Sequence, residues 1–271
     1  MRRFTESYLS RTREGMWAGG DEGGTAGGRE ALADLDLRSA DRVLDVGCGS
    51  GEFTAVLAEE SPGRVVGADR DPDLLAAADC EAVRADAHTL PFPDDTFDVV
   101  ACQALLVNLP DPTRALREFA RVTRAGGRVA AVEPDNAAVS VESSVGAEAA
   151  LAARARDLYV DGASTDVALG GVRDLFGSVG LSGVTVRRYE QTLTVEPPYS
   201  EGDVRAVARK ARAADLRERR GVLANGGASE AELDELRRAW REMGREAVRQ
   251  VGEGSYRRRE TVPFYVTVGR V

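Results

Sequence analysis

Three carboxylates and one amide stand at matching places in the first half of the chain. Asp45, Asp69, Asp86 and Gln103 each come at or near the close of a short apolar run: Val43-Leu44, Val65-Val66-Gly67-Ala68, Val83-Arg84-Ala85 and Val99-Val100-Ala101-Cys102. A carboxylate accepts hydrogen bonds only, so these positions suit a ligand rich in hydroxyl and amino groups. Between the first two acids runs Gly47-Cys48-Gly49-Ser50-Gly51, followed by the helical start Glu52-Phe53-Thr54. Glycine permits turn conformations closed to other residues and lets a ligand lie against the main chain. The helix beyond such a turn points free N–H groups and the positive end of its dipole at whatever sits over it. The combination predicts a nucleotide-type site.

Two families use a turn of this kind. The dinucleotide fingerprint G-x-G-x-x-G requires a third glycine for close packing of helix on strand. Glu52 holds that place here, and the glycine falls one residue early at Gly51. Asp45 also suits a ligand carrying an amino group better than a pyrophosphate. The stretch 43–54 instead closely resembles the first motif of the class I S-adenosylmethionine (SAM) methyltransferases.

The following segments keep step with that resemblance. Residues 64–69 read as a second strand ending in an acid, and a helix begins at Asp71-Pro72, where proline suits a first turn. The Asp69 carboxylate is placed to accept both ribose hydroxyls, with Arg70 beside it. Residues 83–85 read as a third strand, and the run 85–98 looks like the family's adenine loop. The resemblance implies that Asp86 accepts from the adenine amino group and that the Ala87 N–H meets a ring nitrogen. Residues 96–102 are a fourth strand, and Gln103 stands where the family sets a residue beside the methionine end of the cofactor. Asp111-Pro112 opens a helix to about residue 123; Gly126-Gly127 turns into a fifth strand at 128–133. Cofactor ligands are thus expected at Asp45, Gly47, Cys48, Gly49, Asp69, Arg70, Asp86, Ala87 and Gln103.

These motifs require elements that alternate from residue 41 to 133, strand then helix, which predicts a parallel sheet covered on both faces. A reversal of strand order beside the first strand creates a crevice at the carboxyl ends, where all four polar residues lie. The expected fold is α/β: a doubly wound, mostly parallel, seven-stranded Rossmann-like sheet with an inserted helical substrate lobe. Residues 1–30 read as an arm whose Tyr8 and Trp17 either cover the cofactor or substrate as a lid or anchor the arm to the core. The methyltransferase core is expected over 31–196 with 260–271, including a helical insertion near 137–169. Residues 147–160 and 167–179 read as helices, and 183–195 as a long strand. Helices are then expected at about 201–220 and 230–251, and a closing strand at 262–271. The intervening lobe, 197–259, carries a stripe of Leu233, Leu236, Trp240, Met243, Ala247 and Val251 at helical spacing, whose first duty is packing.

Composition narrows the rest. The chain has 271 residues, 43% hydrophobic and 30% charged, with a net charge of −9, a balance that disfavours a nucleic-acid partner. The DNA amino-methyltransferase motif [DN]-P-P-[YF] is absent, since Gln103-Ala-Leu-Leu follows the fourth strand; Cys102 follows alanine, not the proline or threonine of cytosine-C5 enzymes. Three cysteines without CxxC spacing and one histidine leave no zinc ligand set, so no metal is expected. No apolar run approaches the roughly 18 residues of a membrane span, nor does the start resemble a signal peptide; a cytoplasmic protein is expected.

The resemblance implies SAM as cofactor and in-line methyl transfer to a small-molecule acceptor, with oxygen or carbon as the nucleophile. Such chemistry asks mainly for alignment of reacting groups roughly 3–3.5 Å apart. A catalytic base is left open among His88, Glu133 and Asp135. Two other readings remain beside it: a NAD-dependent oxidoreductase, and a SAM-binding protein without catalytic activity.

Overall fold

Strand β1, Arg42–Val46, is buried at every residue but its first, as expected of a parallel strand covered on both faces. The computed structural model describes residues 29–163 and 172–271. The expected arm, with Tyr8 and Trp17, lies outside the described residues except for Arg29 and Glu30. The chain divides into two units: Met1–Asp135 with Thr165–Gln191 and Phe264–Val271, and Asn136–Ser164 with Thr192–Pro263.

In the first unit β1 is followed by α1 (Glu52–Glu60), β2 (Arg64–Asp69), α2 (Pro72–Ala77), β3 (Ala82–Arg84) and β4 (Phe97–Gln103). Helix α3 (Pro112–Val122) leads into β5 (Thr123–Pro134). The strand order is β3-β2-β1-β4-β5, all parallel. β1 therefore lies between β2 and β4, at the point where the order reverses. Strand β8 (Arg258–Arg270) runs antiparallel to β5 through residues 264–270, and β7 (Ser182–Val195) pairs with β8. Both Asp-Pro sequences open helices as anticipated. The Asp71 side chain accepts from the Asp73 N–H, and the Asp111 side chain from the Arg114 N–H, each with proline in the first turn. Capping of this kind stabilises a helix by about 1 kcal/mol. Helix α3 buries Leu116, Phe119 and Val122 against Val100 and Val129 of the sheet and Phe176 of α5 (Val172–Ser178).

The second unit is helical: α4 (Glu148–Gly162), α6 (Glu201–Ala211), α7 (Ala214–Glu218), α8 (Arg220–Asn225) and α9 (Glu230–Gly252). Leu233, Leu236, Met243 and Ala247 of the expected stripe are buried, and Trp240 and Val251 pack against the same clusters. Two expectations are corrected here. The helix foreseen at 201–220 is divided at Ala213, which takes φ 47° although the local sequence holds neither glycine nor proline. Ala213 is fully buried in a cluster with Leu158, Leu216 and Leu223, so packing ends the helix. Asn136–Ser164 falls in the second unit. Finally, β6 (Ser140–Ser143) pairs antiparallel with residues 258–261, giving eight strands where seven were expected.

Among all these elements, one helix end is closed by buried charge. Glu148 lies 1% exposed at the start of α4. It pairs with Lys210 and with Arg258 Nε at 3.1 Å, and accepts from the Tyr256 hydroxyl at 2.9 Å and Ser143 Oγ at 2.7 Å. Burial alone would raise its pKa, but the Lys210 ammonium and Arg258 guanidinium together hold it below the usual carboxylate value.

Candidate functional site

The glycine turn is built by β1 and β2 together. Gly47, Gly49 and Gly51 have φ of 77°, 57° and 97°, the left-handed region that only glycine enters at little cost. The Gly47 N–H donates to the Ala68 carbonyl at 2.7 Å, which ties the turn to the end of β2. Below it, Gly67 leaves the room that Cys48 occupies, since a Cβ there would come within 2.8 Å of the Cys48 sulfur.

Asp69 sits where the turn and β2 meet. Its Oδ2 accepts from the Gly49 N–H at 3.0 Å and its Oδ1 from the Asp71 N–H at 2.9 Å. Each oxygen keeps acceptor capacity, because a carboxylate offers about four lone-pair sites. The structure therefore brings Asp69 and Gly49 together. Asp45 is placed otherwise. It is 1% exposed and accepts from Thr54 Oγ1 of α1 at 2.6 Å, locking the first strand to the helix beyond the turn. Thr54 was not singled out from the sequence, although its place two residues after Glu52 is the one signal that could have found it.

The loop 85–98 is held from α3. Arg121 donates to the carbonyls of Leu90 and Phe92 at 3.1 and 2.9 Å and to Asp94 at 2.7 Å. Glu118 accepts from the Leu90 N–H at 2.9 Å and pairs with Arg121 three residues on. Neither residue was foreseen. In the loop itself Asp86 is open, its side chain 59% exposed. The backbone N–H and the ring of His88 hold its carboxyl below the usual value. Ala87 is buried beside it, and Arg70 is exposed, its backbone carbonyl accepting from Arg84. Gln103 closes β4, 5% exposed.

The three candidate bases separate clearly. Both ring nitrogens of His88 are engaged, Nδ1 with Asp86 at 2.8 Å and Nε2 with the Asp111 carbonyl at 3.1 Å. Glu133, 2% exposed at the end of β5, accepts from the backbone N–H groups of Leu105, Leu106 and Val107 at 3.1, 2.9 and 3.4 Å. Burial lifts it to about 7 in spite of those bonds. Asp135 is half-buried at the end of β5. The thiols of Cys48 and Cys102 are raised by burial, which removes thiolate character at neutral pH. Among the described residues no group of His, Cys, Asp or Glu is arranged to hold a metal ion, and no helix is long and apolar enough to cross a membrane.

Residues 44–131 match the family model described as "Methyltransferase domain". An uncharacterized methyltransferase of Schizosaccharomyces pombe is 38% identical over 117 residues, covering 36% of this chain and 42% of that protein. The demethylmenaquinone methyltransferase of Thermus thermophilus is 40% identical over 116 residues, covering 39% and 53%. The chain thus spans about half the length of the curated relatives it matches. The crystal structure of the YcgJ protein from Bacillus subtilis superposes with a TM-score of 0.50 at 16% identity, over 89% of this chain and 98% of that one, a likeness of fold. With its reversal of strand order at β1, its glycine turn and the acid closing β2, the stretch 44–131 thus matches a methyltransferase domain.

Proposed function

We propose that the protein transfers a methyl group from SAM to an oxygen or carbon atom of a small-molecule acceptor. One observation carries this reading above the others: the Asp69 carboxylate, anchored by the Gly49 and Asp71 N–H groups, faces the carboxyl end of β1 at the reversal point of the sheet. Ligands of doubly wound sheets bind at that place.

The donor set fits the cofactor. Asp69 keeps lone pairs for two vicinal hydroxyls, and the open, ionised Asp86 suits an exocyclic amino group with the Ala87 N–H beside it. Gly47, Cys48 and Gly49 leave bare backbone for close approach, with Gln103 at the edge. Asp45 also accepts from Thr54, keeping turn and helix in register. When bound, SAM supplies an activated methyl group, and the chain's share is alignment and exclusion of water. No group among His88, Glu133 and Asp135 is assigned as base, because the first two are committed to their own loops.

Choice of acceptor is assigned to the second unit, which lies outside the matched domain. The quinone named for one relative makes such compounds a first screen. A NAD-dependent oxidoreductase is disfavoured by Glu52 opening α1 where a third glycine is needed.

Calorimetric titration with SAM, its demethylated product and NAD tests the binding step. Tight binding of the first two and none of NAD is expected; the reverse would end the proposal. Incubation with methyl-labelled SAM and a metabolite extract then separates catalysis from silent binding: label should appear in a small molecule, and NMR of the product identifies the methylated atom.

A further inference from the structure

A line of contacts runs from the end of β5 to the glycine turn. Glu133 accepts three consecutive backbone N–H groups from the loop that follows β4. That loop leaves the strand through Ala104, whose φ of 48° costs a residue with a side chain roughly 1–2 kcal/mol. Its course is further set by the Ala104 N–H donating to the Val132 carbonyl at 2.8 Å and by Asn108 Nδ2 donating to the Ala104 carbonyl at 2.8 Å. Leu106 is fully buried and pins the loop to the core. Leu105, its neighbour, lies directly on Gly47: a Cβ added to that glycine would stand 2.8 Å from Leu105 Cδ1.

We propose that Glu133 is a positioning residue for the cofactor turn, holding Leu105 against Gly47 when ionised and loosening that hold when protonated, so that affinity for SAM follows its charge. The inference rests on the methyltransferase reading above and adds a regulation to that site.

The physical reason lies in hydrogen-bond sense. Three amide N–H groups converging on one point form a concave donor set that suits an anion. An ionised carboxylate accepts from all of them. A protonated one turns one oxygen into an O–H donor, which meets N–H groups that cannot accept. Burial without a paired cation brings this change to about pH 7. The groups facing Glu133 are few. Cys102 Sγ lies 3.9 Å away on β4, with its thiol raised by burial. Tyr265 pairs with Glu133 across β8, and Arg173 lines the same cavity of about 260 Å³.

The test is the affinity of the intact chain for the demethylated product of SAM, measured by calorimetry at pH 6, 7 and 8. Wild-type affinity is expected to fall at least about fivefold from pH 8 to 6, the low end of ordinary coupling between two sites. Glu133→Gln should bind more weakly at pH 8 and show no such slope. A slope that survives in Glu133→Gln belongs to another group and overturns the inference. Leu105→Ala leaves Glu133 in place and guards against a Gln variant that fails to fold; it should weaken binding at pH 8, and unchanged affinity counts against the proposal. Wild type that binds at every pH without a slope sinks this inference alone. Wild type that binds no SAM-type ligand at any pH sinks the methyltransferase reading together with it.

Discussion

Glu133 in the first unit and Glu148 in the second are both almost fully buried, yet their surroundings treat the same charge in opposite ways. Glu148 faces two cations, a phenol and a serine hydroxyl, and is held below the usual carboxylate value. Glu133 faces three backbone N–H groups and, among the described residues, no paired cation, and is lifted to about 7. Amide dipoles offset only part of the loss of hydration, whereas full opposite charges in a dry site offset more. The first arrangement makes a fixed joint; the second leaves a carboxylate near its midpoint at neutral pH. Poised groups of that kind are characteristic of functional sites.

The largest test of this contrast is Glu148→Ala. It strands Lys210 as a buried cation and leaves Arg258 with Glu260 alone, and removing one partner of a buried pair costs about 3–5 kcal/mol. Urea unfolding should show that loss; a change under about 1 kcal/mol would mean the joint is not a joint.

A second test uses the sign of pH dependence. Because Glu133 has a higher pKa folded than the ordinary 4.5, the native state binds more protons than the unfolded chain between 4.5 and about 7. Its contribution to stability is fully present below 4.5 and is lost as pH rises through 7. The span corresponds to about 3 kcal/mol at 1.36 kcal/mol per unit. Glu148, shifted downward, works the other way: its contribution is present above 4.5 and disappears as pH falls through its lowered pKa. Unfolding free energies of wild type and Glu133→Gln should therefore diverge in favour of the variant from pH 5 to 8. Parallel curves would remove the contrast.

Smaller effects address the carboxylates around the turn. Asp69→Ala is expected to weaken SAM at least tenfold, about 1.4 kcal/mol, and unchanged calorimetric affinity would withdraw the ribose assignment. Thr54→Val deletes the 2.6 Å bond to buried Asp45 and should destabilise the fold by about 1 kcal/mol. Cofactor affinity should fall with it if Asp45 works through the turn, and hold if Asp45 only packs.

How legible these sites were follows from how far apart their partners lie in the chain. The turn 47–51, the acid closing β2 and both Asp-Pro helix starts stood where the sequence put them, since each depends on neighbours within a few residues. Glu133 read as a possible base because only its place at a strand end was visible. Its real partners, 26–28 residues earlier, become neighbours because β4 and β5 lie side by side. The Glu148 joint draws on Lys210, Tyr256 and Arg258, respectively 62, 108 and 110 residues away. No periodicity announces such a meeting. The helix break at Ala213 was equally silent, because packing and not a breaker residue ends that helix.

By itself, then, the sequence determined the order of strands and helices from β1 to β5 and the glycine turn. Those depend on local backbone preference and apolar periodicity, which are written residue by residue. Tertiary structure alone decided which carboxylates keep open acceptor sites and which are taken up by the scaffold, because that choice depends on burial and on the partners that distant segments bring. Asp69 and Asp86 keep acceptor capacity, Asp45 braces Thr54, Glu133 holds the Leu105 loop and Glu148 closes a joint. Five similar acids differ only in what surrounds them.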